Sequence, residues 1–290
     1  MLFGSGDWRA SLTAIRRCRL GACRRLVLAA ALLAPHGAGW ADPPLGSAER
    51  PLVAAYGNAP GPMFGQLPDG RLTGIIVDAM NLVAPRASIV LRPVALPWSR
   101  AQAMVEQGDA DLMVTVPTEQ RLKYVLFASR ALYHDGTVAM YLKTAPTAAR
   151  IAAAHVFPDL FGLAFVTYLG NGAIARQAPG QRIDWVKDGD TALHMIAAGH
   201  AEVLIDDELS AYYMVARDGL QNQIGMTLID DPSAYAAYIG IRRSLPEAQA
   251  LVERFDAAIA SAERDGSLAA LERRYRGANM AGVEPEPPHQ

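Results

Sequence analysis

Short apolar runs recur along this chain, each followed by helical spacing and a turn signal, and that alternation leaves few folds open. The runs lie at 52–56, 89–94, 112–114, 163–166, 183–186 and 203–205. Each suits a buried strand and is too short for a buried helix. Between them stand helix starts and stops. Asp78 is expected to cap a helix ending near Pro85, Ser99 one ending at Gly108, and Thr118 a short one. Gly170-Asn171-Gly172 opens another, residues 190–198 form one ended by Gly199, and residues 207–216 form one ended at Gly219. Alternating βα units of this size imply an α/β fold with mostly parallel sheets and right-handed crossovers. With 290 residues the chain can hold one large domain or two small ones. Residues 136–143 form a further extended run, punctuated by Thr144-Ala145-Pro146-Thr147. Two helices close the chain. Leu251, Phe255 and Ile259 mark one face of the first, with Pro246 at its N1 position, and the second covers 267–275.

The N-terminus stands apart from this pattern. Arg16, Arg17, Arg19, Arg24 and Arg25 precede an apolar run at 26–34, too short to span a bilayer, and Gly39-Trp40-Ala41 is a small-x-small cleavage site. Residues 1–41 are therefore expected to be a secretory signal peptide, with an uncleaved anchor as the alternative. Leu20-Gly21-Ala22-Cys23 imitates a lipoprotein box, but charged residues stand where that box needs an apolar run. Both cysteines, Cys18 and Cys23, fall in the leader, so the mature chain is expected to carry no thiol or disulfide. Removing residues 1–41 takes away six Arg and one Asp, leaving 21 basic and 28 acidic residues, a balance of −7. That argues against a nucleic-acid partner and suits a soluble periplasmic protein. The Pro-rich tail at 284–290 is expected to be disordered.

One stretch carries chemistry. Gly108-Asp109-Ala110-Asp111-Leu112-Met113 runs into Pro117-Thr118-Glu119-Gln120-Arg121, then Phe127-Ala128-Ser129 and Leu132-Tyr133. A strand end followed by a helix start is where open α/β sheets bind ligands. Together with Gly74-Ile75-Ile76-Val77-Asp78 and Gly199-His200-Ala201-Glu202 leading to Asp207, this set is similar to bacterial extracellular solute-binding proteins, family 3, the polar amino-acid type of periplasmic binding protein. The resemblance spans about 51–275. It implies a two-lobed type II fold, each lobe a mostly parallel sheet flanked by helices, joined by two hinge crossings near 136–138 and 233–237, with 238–243 the strand that returns to the first lobe. Lobe 1 is expected at 45–136 and 237–283, lobe 2 at 137–236.

The resemblance also implies a site. Arg121 would grip a ligand α-carboxylate and Asp207 its α-ammonium. Without the resemblance, Arg121 reads as a surface arginine and Asp206 or Asp207 as a helix cap. Asn171 and Gly172 stand where the family has hydroxyl residues, and Val116 stands where it has Ser or Thr, leaving Thr115 as a substitute. Tyr56, Phe64 and Trp98 are the candidate aromatic walls; Trp185 and Phe255 read as core. The histidines His36, His134, His155, His194, His200 and His289 show no metal-ligand spacing, and there is no P-loop and no Gly-x-Ser-x-Gly. The expected protein is a periplasmic monomer without metal or cofactor that takes an amino acid or related carboxylate to an inner-membrane ABC permease. Two rivals share the fold: a cyclohexadienyl-type dehydratase, with Glu119, Asp206 or Glu208 as proton donor, and a stand-alone sensory or accessory binder.

Overall fold

The computed structural model describes residues 42–58, 61–230 and 235–280. The expected leader at 1–41, the tail at 284–290 and residues 233–234 of the second crossing lie outside these. The chain runs through β1 (Leu52–Gly57), the hairpin β2 (Gly65–Gln66) and β3 (Leu72–Thr73), α1 (Ile75–Arg86), β4 (Leu91–Leu96), α2 (Trp98–Gln107), β5 (Leu112–Thr115), α3 (Glu119–Leu122) and β6 (Val125–His134). It continues with β7 (Thr137–Leu142), α4 (Ala148–Ala152), β8 (Phe165–Tyr168), α5 (Gly172–Gln177), β9 (Ile183–Val186), α6 (Gly189–Ala197), β10 (Val203–Asp207), α7 (Glu208–Arg217) and β11 (Ile224–Ile229). It ends with β12 (Ala236–Arg242), α8 (Ala248–Arg264) and α9 (Ser267–Met280).

Two five-stranded sheets result, ordered β4-β1-β5-β12-β6 and β11-β7-β10-β8-β9. In the first, β4, β1 and β5 are mutually parallel, and β12 runs against both its neighbours, so β6 shares the direction of the first three. The second repeats the plan: β10, β8 and β9 are parallel, β7 opposes β10 and β11 opposes β7. Each lobe is thus a mostly parallel sheet with one reversed strand. The reversed strands β7 and β12 are the ones that follow the two crossings.

Strand alternation divides the packing. Leu52, Ala54 and Tyr56 of β1 join the core formed with α1 and α8, while Ala55 joins the smaller core under α2. In lobe 2, Phe165, Val203 and Ile205 face one side, and Val166, Leu204 and Met140 face α6 and α7 on the other. Both sheets are covered on both faces, as parallel sheets require.

The two Gly-x-x-acid motifs are structural. Asp111 accepts the Val53 N–H at 2.9 Å and pairs with Arg242 at 3.0 Å, tying β1 and β12 to β5. Glu202 accepts the Ala164 N–H at 2.7 Å, just ahead of β8. Both turns are made by left-handed glycines, Gly108 at φ 93° and Gly199 at φ 72°.

Several expectations need correction. Asp78 does not cap α1. Gly74 does, at φ 112°, and the free helix N–H groups of Ile75 and Ile76 bond the carbonyls of Pro62 and Met63. Asp78 instead accepts from Arg274 and from the Tyr275 hydroxyl, anchoring α9 on α1. Ser99 is not the cap of α2, because Pro97 occupies that place. α8 starts after Glu247, so Pro246 lies outside it, and α9 continues past 275 to Met280. Trp185 is 44% exposed rather than core. The strands β6 and β11 and the β2–β3 hairpin add to the strands expected from the sequence.

Candidate functional site

The site follows from where the strands end. Asn58 follows β1, Pro97 and Trp98 follow β4, Thr115 closes β5, Tyr168 closes β8, Lys187 follows β9, and Asp207 closes β10. All of them line one cavity of about 600 Å³. This is the carboxyl-end rule for open α/β sheets, met by both sheets at one cleft. The loop between β1 and β2 adds a wall. Gly57 leaves the space that the Phe64 ring fills, since a Cβ there would overlap it. Phe64 then meets Trp98 with ring centroids 5.4 Å apart, tilted by 32°.

Arg121 is 4% exposed. Thr118 caps α3 by accepting the Arg121 N–H at 3.3 Å, which fixes the backbone from which the guanidinium projects. Its Nε donates to Gln102 Oε1 at 3.0 Å, one terminal nitrogen to the Val116 carbonyl at 2.7 Å, and the other to the Gly170 carbonyl at 2.9 Å. It also lies 5.8 Å from the Trp98 ring centroid. Burial lowers the pKa of Arg121 from its ordinary value. Every one of these acceptors is neutral, so a buried positive charge faces the cavity without a carboxylate. The Gly170 carbonyl comes from lobe 2, and Gln102 Nε2 donates to it as well, at 3.3 Å. A second tie between the lobes runs from Arg176 to the Pro117 carbonyl at 2.9 Å.

The opposite charge comes from lobe 2. Asp206 and Asp207 are 8% and 5% exposed. Asp207 caps α7, accepting the Ser210 N–H at 2.8 Å. Asp206 Oδ1 accepts the Asp207 N–H at 3.0 Å and the Tyr168 hydroxyl at 3.2 Å. Burial pushes the Asp206 carboxyl up to about 6. Burial, joined by the Asp206 and Asp135 charges, pushes Asp207 well above the usual carboxylate range. Tyr168 and Tyr235, both cavity-lining, feel these carboxylates as well as burial, and their phenols are held protonated far above the ordinary value.

Among the expected site residues, Phe64, Trp98, Thr115, Arg121, Asn171 and Asp207 come together around the cavity. Asn171 donates to Thr167 Oγ1 at 3.1 Å. Gly172 is the first residue of α5. Tyr56 does not reach the cavity. Strand alternation sends it into the lobe 1 core, 3% exposed, and that burial raises its phenol pKa. Sequence reasoning passed over Gln102, Tyr168 and Tyr235, and saw Asp206 only as a cap or proton donor. The strand-end rule would have found Tyr168, since it closes β8. Gln102 lies one turn beyond Trp98 on α2, and only the fold brings it to Arg121. Among the described residues no group of His, Cys, Asp and Glu could hold a metal ion, and no helix is long and apolar enough to cross a membrane.

Comparison with known proteins agrees with this geometry. The profile of the bacterial extracellular solute-binding proteins, family 3, matches residues 53–278. No curated protein sequence matches the chain. An ancestral arginine-binding protein bound to glutamine shares the fold at 17% identity, covering 81% of this chain and 100% of its own, with a TM-score of 0.62. An amino-acid ABC transporter substrate-binding protein from Streptococcus pneumoniae, bound to L-arginine, does so at 17% identity, 80% and 96% coverage and a TM-score of 0.61. A histidine kinase sensor domain similar to periplasmic binding proteins follows at 17% identity, 79% and 96% coverage and a TM-score of 0.62.

Proposed function

The chain belongs to the bacterial extracellular solute-binding proteins, family 3, and from that premise we propose that it captures a free amino acid between its lobes in the periplasm and delivers it to an ABC importer. One observation carries the reading. A buried guanidinium from lobe 1 and buried carboxylates from lobe 2 line the same cavity, and neither finds a counter-charge within the described protein. A zwitterion supplies both. Its carboxylate takes the Arg121 fork in place of the Gly170 carbonyl, and its ammonium meets Asp207. Because one grip lies in each lobe, the ligand favours the closed arrangement over the open one. Export by the leader at 1–41 places the protein where such a solute arrives. Solved structures with this fold hold glutamine and arginine, which supports an amino acid as the cargo.

A thermal-shift screen of the proteinogenic L-amino acids, added singly, tests this. A ligand at 100 times its Kd adds about 2.7 kcal/mol, or roughly 5–10 °C in Tm for a chain of this size. No shift with any of them would refute the reading. The dehydratase alternative draws on Asp206, whose carboxyl, pushed up to about 6, could donate a proton inside the cavity. Loss of added prephenate or arogenate would establish it.

A further inference from the structure

The amino-acid site, as read above, needs one carboxylate for one ammonium, yet the cavity presents two. Asp206 and Asp207 are consecutive at the end of β10, both more than nine-tenths buried, and both line the cavity. No Lys, Arg or His pairs with either among the described residues. Their hydrogen bonds come from neutral donors: the Tyr168 hydroxyl and the N–H groups of Asp207 and Ser210. Two adjacent carboxylates cannot both ionise cheaply out of water without a cation.

We propose that Asp206 and Asp207 form a carboxyl–carboxylate pair that holds one proton in the empty cavity and releases it when the ligand's ammonium enters. Asp206 is then a second binding residue, and capture is coupled to proton release. This rests on the amino-acid reading of the site. The balance is simple. One O–H bond of the pair breaks, the proton goes to bulk water, and the ammonium keeps its three protons while meeting two ionised carboxylates. Beside the pair the ammonium's positive charge replaces that of the released proton, and the ligand's carboxylate adds one negative charge beside Arg121.

The other charged groups of the cavity wall have their own partners: Lys187, after β9, pairs with Asp188 at 3.3 Å, and Asp190 of α6 pairs with Arg217 at 2.8 Å. β8 contributes only the Tyr168 phenol, and the second crossing only the Tyr235 phenol. β6 contributes Tyr133, also a phenol held protonated by burial and by Asp135 and Asp207. A third carboxylate, Asp135 at the first crossing, adds negative charge, but it has its own cation, Arg276 of α9 at 3.1 Å, and accepts the Leu209 and Gly136 N–H groups. Glu208, the first residue of α7, shares that same arginine at 3.1 Å. Arg121 is held on lobe 1 by Gln102 and Val116. The uncompensated charge is therefore that of the Asp206–Asp207 pair. The pKa directions agree: burial raises Asp206 to about 6, and burial together with the Asp206 and Asp135 charges raises Asp207 well above the usual carboxylate range.

The test uses the full chain with two readouts. Carbon-13 NMR of the aspartate carboxyls in the ligand-free protein should show two coupled carboxyls, one still protonated above pH 6. Asp206→Asn, which keeps the shape, should leave Asp207 titrating at lower pH as a single carboxyl. If all aspartates are ionised by pH 5, the pair does not exist. Calorimetry at pH 6.5 in phosphate and in imidazole, with each L-amino acid that raises Tm, should show close to one proton released. Affinity should rise by up to about tenfold per pH unit around pH 6, and Asp206→Asn should bind with release near zero. Binding with equal heats in both buffers would overturn the coupling while leaving the amino-acid reading intact. If no amino acid binds while NMR shows the shared proton, the amino-acid reading fails and the ammonium step falls with it.

Discussion

Replacing Arg121 by alanine separates its two jobs. The guanidinium bonds Gln102, Val116 and Gly170. In the proposed complex a ligand carboxylate replaces the Gly170 carbonyl, turning a bond to a neutral acceptor into a charge-assisted one. A charged hydrogen bond contributes on the order of 1.5–3 kcal/mol, so Arg121→Ala should weaken amino-acid binding by roughly 10–150-fold. Arg121→Lys should restore only part, because an ammonium cannot span the two oxygens as a planar fork. The variant also strands the buried Val116 carbonyl, which should lower stability by about 1–3 kcal/mol. Titration calorimetry gives the first number and thermal unfolding the second. A folded Arg121→Ala protein that binds its amino acid as tightly as the parent would refute the placement of the carboxylate on Arg121.

Other substitutions probe the frame around the charges. Gly170 has φ 96°, and a Cβ there would stand 2.8 Å from both Gln102 Nε2 and Trp98 Cδ1. Gly170→Ala should therefore loosen the closed cleft by about 1–2 kcal/mol, seen as a larger radius of gyration in small-angle scattering and weaker binding. An unchanged profile and Kd would contradict it. Asp206 is raised in the folded state, so the native protein holds the extra proton. Its contribution to stability is full below the unfolded value of 3.8 and is lost as pH rises to about 6, about 3 kcal/mol in all. Chemical denaturation of the ligand-free protein at pH 4.5 and 7 should show this fall, and Asp206→Asn should flatten it. Asp111→Ala removes the Val53 N–H bond and the Arg242 pair. It should lower stability by about 1–3 kcal/mol and leave ligand affinity alone; a change in Kd would mean the motif serves the site directly.

The fold was legible because its signals are local. Capping residues, left-handed glycines and apolar runs mark strand and helix ends, and Thr118, Asp207, Gly108 and Gly199 stand where the pattern put them. Caps failed where backbone did the work instead: α1 is capped by carbonyls of the loop between β1 and β2, which left Asp78 free to hold α9. β11 was missed although Ile224, Met226 and Leu228 alternate with Gly225 and Thr227; it is an edge strand whose burial does not follow that alternation, and Leu228 is 57% exposed. In the site, Arg121 and Asp207 were visible through the family pattern alone. Tyr56 misled because one step of strand register decides between cleft and core, and the register comes from the pairing of β1 with β4 and β5. The Gly170 tie to Arg121 was invisible, since it joins residues on different lobes through a backbone carbonyl that no side chain announces.

The most direct measurement compares an amino acid that raises Tm with its methyl ester and its des-amino acid by titration calorimetry at pH 7.5. Capture by one guanidinium and a carboxylate pair predicts that both analogues bind at least tenfold more weakly. The ester's loss should disappear in Arg121→Ala, and the des-amino acid's loss in Asp207→Asn. Equal affinity for the amino acid and its des-amino analogue would contradict the capture of an ammonium by Asp206 and Asp207.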